Sequence, residues 1–111
     1  MPAYHEVATK TDLGTELTVI IPPRELDTRP RRVITAQVSG RALADLKVQL
    51  GPTQDGPWFD EDLSSAGLPT LAAEHAGVYR MDKIDRFLQI QAKAAAGEEQ
   101  CDLTVWLDAD I

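Results

Sequence analysis

The sequence predicts an all-β domain, and three observations predict it. Apolar and polar residues alternate with period two in "RVITAQVSG", "DLKVQL" and "CDLTVWLDADI". These runs are short and are separated by turn formers such as Gly40, Gly51-Pro52 and Asp55-Gly56. With 111 residues the chain is one domain, large enough for a single core without disulfide or metal, and its single cysteine, Cys101, excludes an internal disulfide.

Taken in order, residues 1–15 are polar and mixed and read as an N-terminal arm, leaving 16–111 as the folded domain. "ELTVII" is β-branched and extended, and Pro22 and Pro23 are expected to stop it because neither can donate to a ladder. "RELDTRPRR" reads as a charged connection. In "RVITAQVSG", Ile34, Ala36 and Val38 alternate with Thr35, Gln37 and Ser39. "DLKVQLGP" repeats the pattern with Leu46, Val48 and Leu50, although Ser39 can also cap a short helix through "SGRALADLKVQL". Residues 51–70 are a pair of loops around Trp58 and Phe59, followed by two short extended candidates, 68–73 and 77–81.

Residues 85–96 fit two descriptions. As a helix, Ile84, Phe87, Leu88, Ala92 and Ala95 share a face, Asp82 caps it and Gly97 ends it. As a strand, Leu88, Ile90 and Ala92 alternate with Phe87, Gln89, Gln91 and Lys93. Propensity favours the helix by only a few tenths of a kcal/mol per residue, too little to decide. Periodicity leaves both open.

The order of features resembles small β-sandwich proteins of tailed-phage virions and prophages. The resemblance rests on "VQLGPTQDGPWFD", where a strand runs into an Asp-Gly turn and a Trp-Phe pair. It rests also on "GVYRMDKIDRFLQIQAKA" and the alternating final strand "CDLTVWLDADI". It covers roughly residues 32–111 and carries no catalytic signature. It implies a single antiparallel, jelly-roll-like β-sandwich of about 7–8 short strands. Residues 86–93 are then a strand, and "AAAGEEQ" a hairpin loop before the last strand. The three alanines there depart from the Gly/Thr/Ser-rich loop of such modules and leave room for a helical turn. The role it implies is structural: capsid cement or decoration, or a head–tail accessory, in a virion assembled in the host cytoplasm.

Composition excludes several other classes. A net charge of −7 and a pI near 4.6 argue against nucleic acid and anionic membrane surfaces as partners. The apolar stretch 17–21 is far too short to span a bilayer, and the first ten residues show no signal-peptide pattern. No enzyme, cofactor or metal is expected. His5 and His75 lie far apart, zinc-ligand spacing is absent, and no phosphate loop or nucleophile motif occurs. Cys101, on the inward phase beside Leu103, reads as a buried structural thiol.

Two sets of residues remain as candidates. The loop "DGPWFDEDL" offers Trp58, Phe59, Asp60 and Asp62 as a ligand loop. The acidic groups there read as solvated surface rather than a calcium site, and the aromatics as plugs for the sandwich end. With Tyr79, the same aromatics support an alternative carbohydrate-binding module. Strand alternation also turns Phe87 and Trp106 outward, on what are expected to be neighbouring strands. Either they form a contact with another copy (a dimer or trimer) or with a major capsid or other virion protein, or a loop or the arm covers them.

Overall fold

In a computed structural model, which describes residues 4–26, 29–68 and 70–110, the chain forms eight strands. These are β1 (Tyr4–Lys10), β2 (Thr18–Glu25), β3 (Arg31–Gly40), β4 (Leu43–Gly51), β5 (Phe59–Asp60), β6 (Ala76–Asp82), β7 (Phe87–Ala94) and β8 (Cys101–Asp110). A 3₁₀ turn, Ser64–Ala66, lies between β5 and β6. Two antiparallel four-stranded sheets result: sheet A in the order β1-β8-β3-β6 and sheet B in the order β2-β7-β4-β5. First pairs with last, second with seventh, third with sixth and fourth with fifth, as in one long hairpin rolled up. The β3–β8 and β4–β7 pairings join the quarters. This is the strand order of a jelly roll.

Alternation explains the core. Ile34, Ala36 and Val38 of β3 and Leu103, Val105 and Leu107 of β8 face inward from sheet A. Leu46, Val48 and Leu50 of β4 and Leu88, Ile90 and Ala92 of β7 face them from sheet B, and all twelve are buried. Truncating one of the large ones, Ile90 or Leu107, to alanine costs about 2–5 kcal/mol. That is a large share of the roughly 5–15 kcal/mol that holds a domain together.

Several expectations need correction. The segment read as an arm is edge strand β1, paired with β8 from Tyr4↔Ala109 to Lys10↔Leu103; Met1–Ala3 fall outside the described residues. Beyond it Leu13 is buried, its N–H donating to the Cys101 carbonyl at 2.7 Å. Pro22 and Pro23 do not end β2. They lie within it on a sheet edge, where no ladder donor is needed, and the register shifts on either side of Ile21 absorb them. Arg24 and Glu25 of the expected charged connection belong to β2 and Arg31 and Arg32 to β3, while Asp27 and Thr28 lie outside the described residues. Among the described residues of 68–73 no strand forms, and Leu71 contributes an isolated bridge to Leu43.

Residues 87–94 are strand, and neither helix alternative forms. Burial of Leu88, Ile90, Ala92 and Ala94 between two partner strands outweighs the weak helical preference. The expected β7–β8 hairpin, however, is absent. β7 belongs to sheet B and β8 to sheet A, so residues 95–100 cross from one sheet to the other. Alternation gave both strands a core face but did not say which neighbour each would take.

Candidate functional site

That crossing separates Phe87 from Trp106. Both are outward and half-buried, as alternation requires, yet they occupy opposite outer faces of the sandwich and belong to no common patch.

On sheet A, register places Val7, Trp106, Thr35 and Val78 side by side across all four strands. Val7 is 48% and Val78 38% exposed. The next row is Thr9, Thr104, Gln37 and Ala76. In a chain that is 26% charged, none of these eight positions carries charge. Charge returns one row the other way, where His5 contacts Asp108 and Arg80 lies beyond Val33.

On sheet B, Phe87 pairs with Gly51, and Trp58 fills the space Gly51 leaves. A methyl group on Gly51 would come within 3.1 Å of the indole Cε3 and 2.8 Å of the Pro57 carbonyl oxygen, so only glycine lets the loop fold back here. Trp58 thus rests on the outer face in the row of Phe87. Arg86 stacks over the Phe87 ring at 5.6 Å and donates to Glu25 at 2.8 Å. Phe59, next along the chain, is 62% exposed. Neither aromatic is the expected core plug at the sandwich end: Trp58 packs on the outer face over Gly51, and Phe59 is exposed.

One row further, Gln89 Nε2 donates to Gln49 Oε1 at 2.7 Å, and Gln49 Nε2 donates to Asp60 Oδ1 at 2.7 Å. Lys47 Nζ stands 3.5 Å from Asp60 Oδ2. The sequence reading missed this ladder. Its signal was present in the outward phases of β4 and β7, which read Lys47, Gln49 and Gln89, Gln91, but strand pairing was needed to bring them together.

The acidic loop resolves into separate local tasks. Asp60 joins the ladder. Glu61 accepts from the Tyr79 hydroxyl at 3.1 Å and faces Lys83 Nζ at 3.8 Å. Asp62 accepts from the Ser64 N–H at 3.0 Å, and that bond holds its carboxyl below the usual range. Among the described residues no three His, Cys, Asp or Glu groups gather as a metal site. Tyr79 is buried, and burial, then Glu61, push its hydroxyl up to about 12. It offers no stacking face, so the Trp58/Phe59/Tyr79 platform does not form. Burial likewise raises the Cys101 thiol, against the reactivity a nucleophile needs.

Arg32 is the other residue the sequence did not single out. It continues the inward phase of β3 and is fully buried. Nε donates to the Arg29 carbonyl at 2.9 Å; Nη2 donates to the Leu26 carbonyl at 2.9 Å and to that of Asp85. It thereby ties the β2–β3 loop to the loop that delivers Arg86 and Phe87.

No protein-family model matches the chain, and no curated protein matches it. Solved structures match its fold. PirA superposes with a TM-score of 0.62 at 15% identity, over 91% of this chain and 92% of that one. A chain of the Bacillus endospore appendages, a family of disulfide-linked pili, gives 0.51 at 5% identity, over 98% and 88%. The SPBc2 prophage-derived protein YomS gives 0.44 at 8% identity over 95% of each chain, too weak a likeness to add to these. At such identities the likeness is one of fold alone.

Proposed function

We propose that the chain is a non-enzymatic structural protein of a tailed-phage or prophage virion, a capsid cement or decoration protein or a head–tail accessory. The outer face of sheet A joins copies into a closed dimer or trimer, which sits on a capsid or other virion protein. The observation that carries this reading is the uncharged double row around Trp106. An aromatic anchor, flanked by valines and by residues that bring no charge to desolvate, has the make-up of an interface centre. The jelly-roll sandwich beneath it supplies a rigid support, and the resemblance noted in the sequence supplies the virion context.

Sedimentation velocity of the wild type and of Trp106→Ala tests the proposal. Losing an interface anchor costs about 2 kcal/mol or more, roughly a 30-fold rise in dissociation constant. The variant, still folded by circular dichroism, is expected to dissociate at concentrations where the wild type stays assembled. A variant that assembles like the wild type refutes the reading.

A further inference from the structure

We infer that the outer face of sheet B, opposite the Trp106 face, is a binding site for a neutral oligosaccharide. Trp58 and Phe87 form its platform, and Gln89, Gln49 and Asp60 its polar row. Because it lies on the other face of the sandwich, the inference stands apart from the docking role proposed for sheet A.

The argument begins with what a sugar presents: C–H groups on the faces of its ring and hydroxyls around the rim that both donate and accept. An aromatic surface suits the first. Fixed groups of both polarities suit the second. Sheet B places the two side by side. Trp58, in the loop before β5, lies over Gly51 of β4, and Gly51 pairs with Phe87 of β7, so the indole lies beside the strand that carries Phe87. Phe59 pairs with the inward-facing Leu50 and takes no part in this platform.

The Gln89–Gln49–Asp60 row lies next to them, and its two 2.7 Å hydrogen bonds hold the amide groups in one orientation. Gln89 is 93% buried by its neighbours, since 7% of it remains exposed, so its side chain has little freedom left to lose on binding. Gln91 and Lys47 pair across β7 and β4 in the following row and continue the polar surface. The Lys47–Asp60 pair leaves the row close to neutral, and the carboxylate in it disfavours an anionic sugar. A cleft of about 200 Å³ lined by Asp45, Lys47, Asp60 and Asp62 runs on from the row. It is smaller than the ~300 Å³ at which closed small-molecule pockets begin. The ligand therefore lies along the face as a chain of rings.

The test uses cellohexaose, maltohexaose and chitohexaose as probes. The reporter is Trp58 fluorescence in a Trp106→Phe background, which leaves Trp58 as the sole tryptophan, with calorimetry alongside. At least one hexasaccharide is expected to bind and shift the Trp58 emission. Phe87→Ala and Trp58→Ala should each weaken that binding about tenfold, the scale of one lost stacking contact. Gln49→Leu, verified as folded by circular dichroism, should weaken it comparably. If Trp58→Ala fails to fold, the Phe87 and Gln49 variants decide. Absence of binding by all three sugars at millimolar concentration overturns the inference, as does binding that neither Phe87→Ala nor Gln49→Leu weakens.

Discussion

Replacing Arg32 with methionine isolates what the buried guanidinium does. Methionine fills the space of the aliphatic stem but not that of the guanidinium, so the effect combines lost hydrogen bonds with a small cavity. The Leu26 carbonyl keeps a second donor, the Arg29 N–H at 2.8 Å. The Arg29 and Asp85 carbonyls lose the donor that Arg32 supplies. Two weakened acceptors at about 1 kcal/mol each, and about 1 kcal/mol for the vacated guanidinium space, amount to about 3 kcal/mol. At about 4 °C per kcal/mol for a domain of this size, the melting temperature should fall by about 12 °C. Arg32→Lys keeps the charge but cannot reproduce the forked donor geometry, so it should lose most of the same stability. Thermal unfolding followed by circular dichroism reads both. An Arg32→Met variant as stable as the wild type would refute the reasoning, showing that the loop carbonyls find other partners.

Two further outcomes follow from local geometry. Gly51→Ala must displace both the Pro57 carbonyl and the Trp58 ring, so it should cost about 1–3 kcal/mol and change Trp58 fluorescence; an unchanged melting temperature and spectrum would contradict the packing described. Glu6 accepts from Arg24 Nε at 2.8 Å and Nη2 at 2.9 Å, and that hydrogen bonding holds its carboxyl below the ordinary value of 4.5. A depressed carboxylate stabilises the fold above its unfolded value and ceases to do so as pH falls through the folded one. The stability difference between wild type and Glu6→Gln should therefore be present at about pH 7 and shrink as pH falls below the ordinary carboxylate value in urea titrations; a difference that stays constant through that range would count against the ion pair as its source.

Most of the sandwich was legible because period-two alternation marks a buried face whatever the neighbours are. β3, β4 and β8 follow from it directly. What alternation cannot supply is strand partnership. Two strands joined by a short loop can pair as a hairpin or cross between sheets, and both arrangements bury Leu88, Ile90, Leu103 and Val105. β7 and β8 cross, so Phe87 and Trp106 part company and Trp58 becomes the neighbour of Phe87 instead. β1 was illegible for a related reason. As an edge strand its alternate residues are only half covered, so Tyr4, Glu6 and Ala8 need not be strongly apolar. Arg32 shows the converse: its place in the inward phase of β3 was readable, but a charged residue there drew no attention until the carbonyls around it were known.

The central claim, that Trp106 lies in an assembly contact on sheet A, is tested most directly by Trp106 itself. The Trp58→Phe variant leaves it as the chain's sole tryptophan. Its acrylamide quenching is then measured through a dilution series, with sedimentation velocity on the same samples. Quenching that is low in the assembled protein, and rises in step with dissociation, is the predicted result. A protein that is monomeric at every concentration, or one whose Trp106 quenching does not change as it dissociates, would contradict the account.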